Sequence, residues 1–356
     1  MLRREIMSEA WRNLSSGTAK AGWLMVAFVV LVGALTSSEL AVVAALDARA
    51  RQYHDAGASI RILKADGGVD AQRCDVLPST NGIASAGALR SMAPVAVSSL
   101  SGLTTPAFEA SRGFQALLGV DEEADHGALI SESLARRWGV LAGDRIATDG
   151  GQMRIAAVFR YPENDGRDSR LANAVLFPSL GQAAFDECWA DVWPSTAAFD
   201  SLIRTAMVSQ SNGGSVVIAS LNPSLGQVFT GPSDYSNRVT RFAPSAAAVL
   251  GLALGLIGSL RRRLEYASAL HAGVPGHQLN LISLTETACW ATLAAIITAG
   301  FGAGAVLLAM PSIAGTLLGN VALTCVSGAV GAVSGALLVT ALVKERKLFV
   351  YFKQRT

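Results

Sequence analysis

Apolar residues are unevenly placed along this chain, gathering into a few long runs separated by stretches of soluble character. Residues 21–46 hold a single charge, Glu39, and at about 1.5 Å per residue a helix of that length exceeds a hydrocarbon core of roughly 30 Å. A transmembrane helix is predicted there; a cleaved signal peptide, with an apolar region of about 7–15 residues before a small-x-small site, fits this run poorly. A second run, 243–260, is uncharged and stops at Arg261-Arg262-Arg263. The region 279–343 carries only Glu286 and is long enough for two spans, 279–309 and 321–343, with a turn over 310–320 signalled by Met310-Pro311-Ser312 and Gly319-Asn320. The pattern predicts four spans, one near the N-terminus and three near the C-terminus.

Lys and Arg near span ends set orientation. Arg3, Arg4, Arg12 and Lys20 precede the first span, the three arginines follow the second, and Lys344, Arg346 and Lys347 follow the fourth. All three clusters fall on the cytoplasmic side only if residues 47–242 and the 310–320 turn lie outside, with 1–20, 261–278 and 344–356 inside. The long outer segment is expected to be folded, because structureless connections of that length are not ordinary. Ser59 to Lys64 alternates as a strand, Val69 to Leu77 suits a short helix, and Gly82 to Leu89 suits a second strand. Ser195 is read as the cap of a helical stretch reaching Val208, followed by a strand over 215–219. Between them lie β-rich segments at Pro94–Leu100, Pro106–Ala110, Asp144–Thr148 and Met153–Tyr161, with one helix from Ser131 to Trp138 stopped by Gly139. The fold expected is an α-helical membrane protein with an inserted extracytoplasmic α+β domain of two lobes, a β-rich one over about 92–190 inside an α/β one.

Composition sharpens this. Charged residues are 16% of the chain against about 25% in an average soluble domain, and the mean hydropathy is +0.38. A net charge of +2 gives no field that would argue for nucleic acid. The sequence has no G-x-x-x-x-G-K-[ST], G-x-S-x-G, H-E-x-x-H or paired C-x-x-C, so no nucleotide hydrolysis, other catalysis or metal binding is expected of this chain itself. The acidic stretches Asp121-Glu122-Glu123 and Glu163-Asn164-Asp165 read as solvated turns rather than cation loops. Cys74 and Cys188 share the outer segment, where oxidation is permitted; a disulfide and two separate buried thiols are the alternatives.

Glycines four apart occur as Gly251/Gly255, Gly300/Gly304 and Gly331/Gly335, a spacing that lets helices approach closely, within one chain or between chains. Glu39 and Glu286 are carboxylates within apolar spans, either functional or reaching interfacial water. Between spans two and three, Leu264, Ala267 and Leu270 recur at helical spacing among polar residues before Gly273, Pro275 and Gly276 force a turn. That short amphipathic helix is a docking surface for a soluble partner or the membrane. Residues 1–20 contain a second amphipathic helix, with Ile6, Met7, Ala10, Trp11 and Leu14 on its apolar face, suited to the lipid interface.

Several of these stretches together resemble the FtsX-like permease family of ABC transporters, the MacB-type or type VII group. Glu9-Ala10-Trp11-Arg12-Asn13-Leu14 is similar to that family's motif before span one, and Leu264-Glu265-Tyr266-Ala267 through Ala272-Gly273-Val274 to its motif after span two. Leu284-Thr285-Glu286 places a glutamate where the family has one, and Ala128 to Gly139 with Gly143-Asp144 resembles the MacB-like periplasmic core domain. The resemblance implies a bacterial inner-membrane permease, most often a homodimer and in some systems a heterodimer, with both termini cytoplasmic. It implies a separate ABC ATPase that binds ATP and Mg, coupled through Glu265, Tyr266, Ala267, His271 and Gly273, with no cofactor in this chain. It also implies mechanotransmission to the outer domain for efflux or extraction of an amphipathic substrate, such as an antimicrobial peptide, drug, haem or lipoprotein. The alternative is signalling to an extracytoplasmic protein partner such as a cell-wall hydrolase. In such a dimer, Thr36, Ser38 and Glu39 are expected to line an outer-leaflet substrate groove; otherwise Glu39 begins a solvated stalk and the span ends near Leu35. Here His271 and Val274, and the tail from Leu348 to Lys353, depart from the family pattern.

Overall fold

The computed structural model describes residues 3–16, 20–98, 104–120, 127–179, 184–194, 198–208, 215–344, 348 and 352. It divides into two compact units, a helical one formed by 1–47 and 233–356 and a sheet unit formed by 48–232. In chain order, α1 (Arg3–Ser15) and α2 (Ala21–Asp55) lead to β1 (Ile60–Val69), α3 (Ala71–Val76), β2 (Ile83–Ala96), β3 (Thr104–Ala110) and α4 (Arg112–Leu117). Then come β4 (Ala128–Ser131), α5 (Glu132–Trp138), β5 (Arg145–Thr148), β6 (Gly151–Phe159), β7 (Val175–Pro178), β8 (Phe185–Val192), α6 (Ala198–Ile203) and β9 (Val217–Ser220). The chain closes with α7 (Gly231–Asn237), α8 (Ala243–Arg261), α9 (Arg263–His271), α10 (Gly276–Ala309) and α11 (Ala314–Leu342).

Four helical segments, 21–55, 231–261, 276–309 and 311–342, are long and apolar enough to cross a membrane. α2 continues nine residues past the predicted span end at 46, because Asp47-Ala48-Arg49-Ala50-Arg51 changes polarity without a residue that breaks a helix. The predicted turn over 310–320 is shorter in the structure: a 3-10 turn at Pro311–Ile313 follows α10, and α11 already begins at Ala314. Gly319 and Asn320 are helical, since a single glycine costs a helix interior only about 1 kcal/mol and does not end a long apolar helix. α10 likewise begins at Gly276, inside the predicted 261–278 segment.

α8 and α11 pack so closely that a methyl on Gly251 would lie 1.9 Å from the Gly328 carbonyl oxygen, and one on Gly255 2.0 Å from that of Ala332. The approach is reciprocal, with Gly331 against Ala248 O at 2.1 Å and Gly335 against Leu252 O at 2.2 Å. A methyl added at Gly300 or Gly304 would instead meet nothing within 4 Å among the described residues. Phe28, Val32, Trp290, Ala294, Val321 and Cys325 are among the residues that fill the core joining α2, α10 and α11.

The sheet unit is built on strands in the order β5-β6-β4-β7-β3-β2-β8-β1-β9. Most neighbours are antiparallel, while β3–β7 and β4–β6 are parallel. Local chemistry starts and stops its helices: Asp70 accepts from the amides of Gln72 and Arg73 at the head of α3, and Ser131 accepts from Leu134 N at the head of α5. Gly139, left-handed at φ 68°, ends α5. Of the predicted Pro94–Leu100 strand, Pro94 to Ala96 are the last three residues of β2, followed by a bridge at Val97, while Ser99 and Leu100 lie outside the described residues. Three strands escaped the sequence pattern. β4 and β7 are short strands whose positions do not alternate between buried and exposed, and β8 mixes apolar residues with Asp186, Glu187 and Asp191, charges that read as loop. The helix predicted from Ser195 to Val208 is α6 with a 3-10 turn to Ala206; Ser195 lies outside the described residues, as do Asp121, Glu122 and Glu123.

Candidate functional site

The helical ladder breaks at Arg262, which ends α8 and begins α9 with φ −101° and ψ 8°. Its guanidinium is turned inward. Nε donates to Glu265 Oε2 at 2.9 Å, and Nη1 donates to Glu286 Oε2 on α10. The other oxygen of Glu286 accepts from Asn13 Nδ2 of α1 at 2.6 Å. Glu286 is 3% exposed, so these bonds are made away from water, where ionised partners hold each other strongly. Burial works against the charge on Arg262, but Tyr266, Glu265 and Glu286 outweigh it and the guanidinium titrates above its ordinary range. Its carbon sits 5.3 Å from the centroid of the Tyr266 ring. Burial pushes the Tyr266 phenol up, against the opposing pull of Arg262.

This geometry separates the residues expected to contact a partner. Glu265, His271 and Gly273 are exposed, whereas Tyr266 and Ala267 are buried against Leu279, Val339 and Val343. Tyr266 was expected at the outward contact beside Glu265; adjacent helical residues point about 100° apart, and the structure gives Tyr266 the inward direction. Gly273, at φ 88°, makes the turn out of α9, which Pro275 carries into α10.

At the other end of α8, Arg238 donates to Glu39 Oε1 from Nη2 at 2.8 Å and from Nε at 3.0 Å. Its Nη1 donates to Tyr235 O, and its guanidinium lies 3.8 Å from the Tyr235 ring centroid. Glu39 and Thr36 are both buried, with the Thr36 hydroxyl bonded to Val32 O; Ser38 is exposed. The carboxylate expected to need water or a ligand therefore has a partner within its own chain. Sequence reasoning missed Arg238, and it named Asn13 only within the motif before span one, without a role. The available signal was the pair of lone carboxylates in apolar spans, each of which requires a donor.

In the sheet unit, Cys74 of α3 and Cys188 of β8 are bonded, with Cα atoms 5.9 Å apart. Asp165, from the acidic stretch weighed as a cation loop, is taken up by Arg167, whose Nε lies 2.8 Å from its Oδ2. No group of three or more His, Cys, Asp or Glu residues suited to a metal occurs among the described residues.

No protein-family profile matches the chain, and no curated protein does. Among solved structures, it is similar to a domain of a proposed permease protein from Porphyromonas gingivalis, with 15% identity, covering 46% of this chain and 88% of that one, at a TM-score of 0.32. It is also similar to the extracellular domain of the noncanonic ABC-type transporter YknZ from Gram-positive bacteria, with 11% identity, covering 40% and 88%, at a TM-score of 0.29. At those scores neither likeness decides the fold or the activity of this chain.

Proposed function

We propose that this chain is the membrane subunit of an ABC-type transport system, in which a separate ATPase subunit acts on α9 and the sheet unit responds on the far side of the membrane. The observation that carries this reading is the Arg262–Glu286 pair: α9 is short, presents Glu265 and His271 outward, and is tied through a buried charge network to α8, α10 and α1. A helix held in this way passes a push on its exposed face into the bundle. The sequence motifs at Glu9–Leu14, Leu264–Val274 and Glu286 support the same reading, because the structure brings Asn13, Glu265 and Glu286 into one network.

Within this proposal the chain is a noncatalytic permease of the MacB type, working as a homodimer in a bacterial cytoplasmic membrane. Its sheet unit is the extracytoplasmic domain of two lobes, and its substrate is amphipathic. ATP and Mg belong to the partner. The reading is tested by isolating the tagged chain from its host membranes, identifying any P-loop ATPase that copurifies, and comparing Glu265→Lys with the unsubstituted chain. Reduced ATPase stimulation at unchanged membrane abundance is expected. Absence of any ATPase that copurifies with the unsubstituted chain would overturn the reading.

A further inference from the structure

Glu286 is the point at which two helices that share no sequence neighbourhood are joined. Its Oε1 holds Asn13 of α1 at 2.6 Å, while its Oε2 holds Arg262, whose Nε holds Glu265 of α9 at 2.9 Å. Ala10, one turn before Asn13, is 4% exposed, so α1 turns a narrow inward face to the bundle and leaves Trp11 70% exposed on another. A lipid-interface helix with no other duty needs its apolar face in the bilayer and has no use for an amide bonded to a buried carboxylate. Conversely, a buried carboxylate shared between two donors loses part of its compensation when either one leaves, which opposes independent movement of α1 or α9.

We propose that Glu286 is a positioning residue that latches α1 to α9, so that the two helices are displaced as one body. The latch deepens the reading of α9 as the element a partner moves, but its existence is independent of any partner. A push delivered to Glu265 is shared, through Arg262 and Glu286, with the helix that leads into α2. Asn13 is then more than a packing residue, and its uncharged amide donor matters more than its volume.

The full chain in lipid nanodiscs, without Cys289 and Cys325, carries spin labels at exposed Ser8 and Ser268 for pulsed distance measurement. A second pair at exposed Val249 and Leu323 serves as the fold control. The unsubstituted chain should give a single narrow Ser8–Ser268 population. Asn13→Ala should raise the ratio of undocked to docked α1 by about ten- to a hundredfold, the factor carried by a hydrogen bond to a charged group. Asn13→Asp keeps the shape but sets a second carboxylate against Glu286, so it should undock α1 more than alanine does. A role in packing alone predicts the opposite order. Glu286→Gln should loosen the pair as well; if it also shifts the control distance, the two Asn13 variants carry the decision, because both leave Glu286 and Arg262 in place. A distribution unmoved by either Asn13 variant, or an aspartate no worse than alanine, would overturn the latch. That result would leave the ATPase reading standing, since the latter is judged by copurification and by Glu265→Lys.

Discussion

Arg238 and Glu39 stand 199 positions apart in the chain and meet at 2.8 Å, with both side chains largely withdrawn from solvent. The pair closes α2 against the segment that leads into α8. Removing one partner of a buried pair leaves an uncompensated charge, at a cost of about 3–5 kcal/mol, whereas replacing both with apolar residues is often neutral. Arg238→Met should therefore lower the unfolding temperature of the detergent-solubilised chain clearly, and Arg238→Met with Glu39→Leu should recover most of the loss. If the double variant is no better than the single one, the pair is not what holds this contact.

The glycines divide into two groups with opposite expectations. Gly251→Ala or Gly331→Ala drives a methyl group onto a backbone carbonyl about 2 Å away, and helix separation must grow at a cost of about 1–3 kcal/mol. Gly300→Ala and Gly304→Ala meet nothing within 4 Å and, because alanine favours the helix interior, should leave the unfolding temperature of the monomer unchanged or raised. A shift in oligomer distribution confined to the second group would place those two glycines at a contact between chains.

Cys74 and Cys188 close a loop with a sequence separation of 114, and cross-links of this kind typically stabilise by about 2–4 kcal/mol. Replacing both with serine should lower the denaturant midpoint of the sheet unit, followed by hydrogen exchange of β8 peptides. Equal midpoints for oxidised and reduced chain would show that the surrounding core of Leu63, Ala88 and Phe185 suffices.

Burial holds the Asp75 carboxyl above its ordinary value, despite the bond from Ser111 Oγ at 2.5 Å and a backbone bond from Gly113. The folded state therefore keeps the proton to higher pH than the unfolded chain. The associated stability is fully present below about pH 4, the ordinary carboxyl range, and is lost as pH rises through the raised value. Asp75→Asn should remove that decline. Amide exchange at Ala88, which donates to Ser111 Oγ, reports it directly. A pH profile identical in Asp75→Asn and the unsubstituted chain would assign the decline to another group.

The orientation expected from the basic clusters predicts opposite labelling of two engineered cysteines. In a chain without Cys289 and Cys325, Thr80→Cys in the sheet unit should react with an impermeant thiol reagent in intact cells, and Ser268→Cys in α9 only after lysis. Reaction of Ser268→Cys in intact cells would reverse the orientation.

Four apolar runs, the soluble character of the long segment between the first two, and the amphipathic α9 could all be read from residue order, because burial in lipid or in a helix face imposes a period on neighbouring positions. Capping is equally local, which is why α5 could be placed from Ser131 and Gly139. The charge network could not be read in this way. Asn13, Arg262 and Glu286 lie far apart in sequence, and nothing local distinguishes Arg262 from Arg261 or Arg263 until the break at the α8–α9 junction turns one of the three inward. The same holds for the strand order, in which β8 lies between β1 and β2. Hydrogen bonding between strands depends on which segments the core brings side by side, and a carboxylate in an apolar span announces only that it needs a donor. The sequence by itself determined where apolar surface must be buried and where helices start and stop; the tertiary structure alone decided which distant donor satisfies each buried charge, because that choice depends on packing across helices and not on spacing along the chain.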